Sequence, residues 1–147
     1  MEWKLIEQTQ ELSGVIDLIK ASSEVAVDLE ADSLHHYHSK ICLLQITAQG
    51  QHFLIDTLKI GDLSEVLSAL QTKTILAHGC DYDLRMMKQH WNFVPSKIFD
   101  TMIASRLIGA KAFGLANLAK EYLNLELDKG SQKADWSRRP LPDNMQH

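Results

Sequence analysis

The chain has 147 residues, 45% hydrophobic and 23% charged, the proportions of one ordinary globular domain with room for a single core. Fifteen Lys and Arg against nineteen Asp and Glu leave a formal charge of −4, which excludes a generally basic nucleic-acid coat but not an enzyme whose acids bind cations. No apolar run approaches the ~18 residues of a membrane span and the charged, Trp-containing N-terminus is unlike a signal peptide, so a cytoplasmic protein is expected.

Trp3 to Ile6 predicts a short edge strand. Leu12, Val15, Ile16 and Ile19 then recur at i, i+3, i+4 and i+7, the signature of an amphipathic helix that runs out near Ala21-Ser22-Ser23. Val25-Ala-Val-Asp28-Leu-Glu30 follows, a run of β-formers that delivers two carboxylates at i and i+2. Side chains two apart on a strand share a face, so Asp28 and Glu30 point together. Buried side by side they are costly unless a positive group stands between them, and a divalent cation is a natural neutraliser. The competing reading is that the strand ends here and both acids are solvated at its tip. Ala31 to Lys40 is polar and contains His35-His36-Tyr37-His38. A solvated or substrate-facing loop is favoured over a metal site, because such a cluster needs a particular fold around it.

Ile41 to Thr47 and His52 to Asp56 are β-rich runs joined by Ala48-Gln49-Gly50-Gln51, which predicts a hairpin. Leu63, Val66, Leu67 and Leu70 restore helical spacing. Thr74 to Ala77 is a short strand feeding His78-Gly79, where a helix begins; in open α/β sheets ligand groups collect at such places. In that helix Leu84, Met87 and Trp91 form an inward stripe with Asp83 one step round from it, so Asp83 faces the end of the sheet. Asp81 lies about 200° away from Asp83 and suits a helix-dipole role. Ile98 to Thr101 predicts another strand running into a helix with Ile103 and Leu107, and Asp100 reads as its N-cap. Gly109 to Ala112 connects to a last helix marked by Leu115, Leu118, Ala119 and Tyr122. Periodicity fails from Asn124 onward. The stretch Leu127 to Pro142 sets Lys129, Lys133, Arg138 and Arg139 around Trp136, which suits phosphate contact with base stacking. A connector anchored by one buried Trp fits the same residues. Cys42 and Cys80, one in an apolar run and one beside a helix start, are expected to be free thiols.

Taken in order, these pieces resemble the DEDD superfamily of 3′-to-5′ exonucleases, and within it the ribonuclease D-like branch. Asp28-Leu-Glu30 is similar to the first family motif, and Leu43-Leu44-Gln45-Ile46 to the strand after it. His78-Gly-Cys-Asp-Tyr-Asp83-Leu84 resembles the second motif, with the family's catalytic Asp falling on Asp83. Phe99-Asp100-Thr101, Leu127-Asp128-Lys129, Asp135-Trp136 and Arg139-Pro140-Leu141 resemble further family elements. The resemblance implies an α/β, ribonuclease H-like fold: a mixed five-stranded sheet, antiparallel on one edge, flanked by helices. It also implies release of nucleoside monophosphates from a nucleic-acid 3′ end, RNA favoured over DNA, with two divalent cations, Mg²⁺ or Mn²⁺. Asp28, Glu30 and Asp83 would be the catalytic metal ligands. Leu34, His78, Trp136 and Arg139 would meet substrate.

One departure stands out. The family's third motif, a Tyr followed four residues later by the fourth carboxylate, would fall just after His147, and Glu126 and Asp128 lie too early to replace it. The expectation is a single domain over residues 1–147, C-terminally incomplete and impaired in activity. The alternative is a catalytically silent module that binds nucleic acid or another partner. A ribonuclease H-like nuclease outside the exonuclease branch fits the family elements less well.

Overall fold

The computed structural model describes residues 3–32, 39–127 and 135–142. Six strands form one sheet: β1 (Trp3–Ile6), β2 (Glu24–Ala31), β3 (Ile41–Ala48), β4 (Gln51–Asp56), β5 (Thr74–Ala77) and β6 (Lys97–Asp100), in the order β1-β4-β3-β2-β5-β6. Five α-helices accompany them: α1 (Leu12–Ala21), α2 (Ser64–Leu70), α3 (Asp81–Trp91), α4 (Thr101–Leu107) and α5 (Leu115–Leu123). The α/β class and mixed sheet agree with expectation, with two differences of detail. A sixth strand, β6, pairs in parallel with β5. The antiparallel strand is also not at an edge: β3 runs against both β2 and β4, and all the other pairs are parallel. The β3–β4 hairpin produces this, since a tight turn reverses the chain within the sheet, whereas helical crossovers through α2 and α3 return it parallel. That turn is only Gln49-Gly50, both at positive φ (50° and 72°), the conformation whose twist matches the flanking strands.

Alternation on the strands divides the two faces. Val25, Val27 and Leu29 of β2, Leu44 and Ile46 of β3, and Phe53 and Ile55 of β4 are buried against Leu12, Val15, Ile16 and Ile19 of α1 and Val66 and Leu70 of α2. Each such side chain contributes roughly 1.5 to 3 kcal/mol on leaving water. The opposite face carries Asp28 and Glu30 of β2 and, beyond them, a small buried cluster of Cys42, Leu43, Trp136 and Leu141 with Leu5 packed on it.

Helix α3 is rotated relative to the expected stripe. Met86 and Met87 are its buried residues, while Leu84 and Trp91 are half-buried. Asp83 stands at i−3 and i−4 from that pair, so it shares their inward face and is carried toward the sheet. Helix α5 forms where periodicity placed it, but only Ala119 is buried; Leu115 is 52% and Tyr122 58% exposed. Its apolar spacing gives a face that the described residues leave uncovered.

Candidate active site

Asp28 and Glu30 project from one face of β2, opposite Gln45 and Leu43 of β3 respectively. The Gln45 Nε2 donates to Glu30 Oε1 at 3.2 Å and so holds that carboxyl from the neighbouring strand. Asp83 arrives from the first turn of α3 and shares a side-chain hydrogen bond with Asp28. Two carboxyls can share such a bond only if one is protonated. The contact raises Asp83 and holds Asp28 down.

The electrostatics follow from that crowding. Burial, then the charge of Asp28, pushes Asp83 up to about 7. Burial, then the charges of Asp28 and Asp83, pushes Glu30 up to about 7. Asp28 is raised by burial and held back by the Leu29 backbone, by Asp83 and by His78. Among the described residues no three His, Cys, Asp or Glu side chains stand close enough to hold an ion as they are. The donor chemistry nevertheless fits a hard divalent cation. All three groups offer carboxylate oxygen, and two are pushed up to about 7 by desolvation and mutual repulsion that a cation would offset.

His78 follows β5 directly. Its Nδ1 lies 2.9 Å from Thr101 Oγ1, and that hydroxyl donates to the Ala77 carbonyl at 3.0 Å. Thr101 therefore accepts from His78 Nδ1–H, which fixes the ring and leaves Nε2 as its other polar atom. That Nε2 is buried and has no hydrogen-bond partner among the described residues. His78, Asp28, Gln45, Thr101 and Leu115 line one cavity of about 330 Å³.

Asp100 builds the frame around this loop. It caps α4 by accepting from Met102 N and Ile103 N at 2.8 and 3.3 Å, as its position before the helical run predicts. The same carboxylate reaches back to accept from Gly79 N and Cys80 N at 2.9 and 3.0 Å. Burial pushes it up, but these N–H groups outweigh that and hold it down at about 2. Gly79 has φ +65° and a Cβ there would sit 2.7 Å from Met102 Cε, so glycine suits both the turn and the close approach. Asp100→Ala is expected to destabilise the protein by about 2 kcal/mol, one lost N-cap plus the loop ties, measured by chemical denaturation.

A family model described as "3′-5′ exonuclease" matches residues 3–147. This chain belongs to the 3′-5′ exonuclease family. Ribonuclease D of Haemophilus influenzae is 35% identical over 145 residues, covering 96% of this chain and 36% of that protein. The exosome complex exonuclease RRP6 of Saccharomyces cerevisiae is 31% identical over 139 residues, covering 92% of this chain and 19% of that protein. Among solved structures, Escherichia coli RNase D superposes with a TM-score of 0.89 at 26% identity, covering 99% of this chain and 40% of that one. The exonuclease chain thus spans about a third or less of the curated relatives it matches.

The structure engages two of the expected substrate contacts, Arg139 and Trp136, within the protein itself. Arg139 donates through Nε and Nη2 to Asp56 at 2.6 and 2.9 Å, through Nη2 to the Cys42 carbonyl at 3.1 Å, and through Nη1 to the Trp136 and Arg138 carbonyls, each at 2.7 Å. All five guanidinium N–H groups are engaged within the protein, so none is left for a phosphate. Trp136 is 6% exposed and packs on Cys42, Leu43 and Leu141, so no ring face is open to a base. Leu34, the His35-His36-Tyr37-His38 run, Lys129 and Lys133 lie outside the described residues.

Sequence reasoning missed three contributors. Gln45 steadies Glu30, Thr101 orients His78, and Asp56 anchors Arg139. The alternation that places Gln45 on the face of Asp28 was visible in the sequence, but its contact with Glu30 depends on strand register.

Proposed function

We propose that this chain carries the chemistry of a 3′-to-5′ exoribonuclease, releasing nucleoside monophosphates from RNA 3′ ends with two divalent cations, Mg²⁺ or Mn²⁺. The observation that carries it is the convergence of Asp28, Glu30 and Asp83, from one strand and one helix, beside a cavity of nucleotide dimensions. Asp28, Glu30 and Asp83 would hold the cations between them. Bound there, such ions activate water and stabilise the leaving oxygen. The protein's own groups do the rest. Gln45 fixes Glu30 against β3, and Asp100 and Thr101 fix the loop that presents His78. Its Nε2, which has no partner among the described residues, would hydrogen-bond the terminal nucleotide. The E. coli neighbour is described as an exoribonuclease involved in structured RNA processing, which favours RNA over DNA.

The described residues bring three carboxylates to this site, whereas the family pattern uses four. These three are expected to bind Mn²⁺, and the loaded protein to shorten RNA from its 3′ end. The test is calorimetric Mn²⁺ titration together with digestion of a 5′-labelled single-stranded RNA. Loss of mononucleotides from the 3′ end, abolished in Asp28→Ala, supports the reading. Internal cleavage, or strand binding with no mononucleotide release, overturns it, the latter in favour of a silent binding module.

A further inference from the structure

Residues 101–123, from α4 through α5, contain Arg106, Lys111 and Lys120 against a single acid, Glu121, within a chain whose net charge is −4. We propose that α4, the connector 108–114 and α5 form the track along which a single-stranded nucleic acid is led to the carboxylates. This deepens the exonuclease reading and rests on it.

Three observations support the track. First, the charge is available: Arg106 and Lys111 make no ion pair with a described residue, and only Lys120 is engaged, with Glu126 at 2.9 Å on the surface. Second, the Arg106 guanidinium lies over the Phe113 ring, 4.1 Å from its centroid. A cation flat against an aromatic ring keeps edge N–H donors for a phosphate and presents planar surface for a base, the combination that non-specific single-strand binders use. Third, the surface is continuous with the site. Thr101 at the head of α4 and Leu115 at the head of α5 line the same cavity as Asp28 and His78, and Arg106 Nη2 lies 3.6 Å from Met102 Sδ, whose methyl covers Gly79. The exposed apolar residues Leu107 and Ile108, 82% and 74% accessible, border the cations. Charge favours the occupant: Arg106 and Lys111 have no ion partner among the described residues and stand against Glu121 alone, and a regularly charged polyanion is the complement of such a surface.

The track binds nucleotides upstream of the one being removed, so its contribution must depend on strand length. The test measures fluorescence anisotropy of labelled uridine oligonucleotides of two and twelve nucleotides, in an Asp28→Asn background so that nothing is hydrolysed, over a range of salt. Arg106→Gln/Lys111→Gln is expected to weaken 12-mer binding about tenfold and to lower the salt slope by about 1.4, from roughly 0.7 for each phosphate no longer neutralised. Phe113→Ala is expected to weaken it about fivefold. Dinucleotide affinity and the melting temperature stay within error. Equal losses for both lengths, or unchanged 12-mer binding, overturn the track while the exonuclease reading stands. If the parent protein binds neither oligonucleotide at low salt, both fail. A dimer in sedimentation velocity that Leu107→Ser dissolves, with 12-mer binding unchanged by the charge substitutions, assigns the face to a second copy instead.

Discussion

Arg139→Ala is expected to destabilise the protein by about 3 to 5 kcal/mol, a large part of the roughly 5 to 15 kcal/mol that holds a typical domain folded. The magnitude comes from what the substitution leaves behind. Asp56 is fully buried at the end of β4, and its Oδ1 also accepts from Leu58 N and Lys59 N at 3.0 and 3.2 Å. Without the guanidinium, a carboxylate with no access to water loses its counterion, and the carbonyls of Cys42 and Trp136 each lose one donor. Arg139→Lys keeps the charge but offers three donors from one point in place of a planar five-donor fork, so it is expected to recover only part of the loss. Urea denaturation of Arg139→Ala, Asp56→Ala and the double variant measures the coupling; the double variant is expected to lose less than the sum of the singles. Strand binding by the folded Arg139→Ala protein, measured well below its melting temperature, is expected to match the parent. A variant that melts normally but binds oligonucleotide poorly would restore the phosphate-binding role that the geometry removes.

The same residue shows where sequence reasoning stops. A cation three residues from a Trp has one local pattern whether it meets a phosphate or a buried carboxylate, and here the partner is 83 residues away in the chain. Asp56 gave no hint of its own, since an Asp closing a strand is ordinary turn chemistry. By contrast, Asp28 and Glu30 were legible because strand alternation fixes two neighbours on one face without help from the rest of the fold. Asp100 was half legible. Its cap on α4 is local and follows from its position, but its second set of donors, Gly79 N and Cys80 N, comes from a crossover connection. Asp83 was placed on the right side of α3 although the stripe was misjudged, because Met86 replaced Leu84 in the core and turned the helix in the direction that keeps Asp83 inward. Helix α5 is the reverse case: periodicity located it, and nothing in periodicity says what covers it.

Loss of one acid at the site is expected to separate stability from function. Asp28→Asn should lower exonuclease turnover by roughly three orders of magnitude, about 4 kcal/mol in barrier height, if Asp28 contacts both cations. In the absence of divalent metal the same substitution is expected to stabilise the protein by about 1 to 2 kcal/mol at pH 8. That figure is well below full linkage because the groups are partly solvated. The sign follows from Glu30 and Asp83, both raised to about 7 from ordinary values of 4.5 and 3.8. Below about pH 4 these groups are protonated in folded and unfolded chains alike. Between pH 4 and 7 the unfolded chain has released protons that the fold retains, so metal-free stability falls as pH rises, and the fall is complete above pH 7. Asp28→Asn removes a charge that raises both neighbours and so flattens this slope. Mn²⁺ binds the deprotonated carboxylates, so the melting temperature it adds should grow from pH 5 to pH 8 and largely vanish in the variant. Thermal melts from pH 4 to 9, in EDTA and in MnCl₂, read each of these effects. A metal-free melting temperature that is flat or rises between pH 4 and 7 would show that the three carboxyls do not crowd one another, and the cation site built on that crowding would go with it.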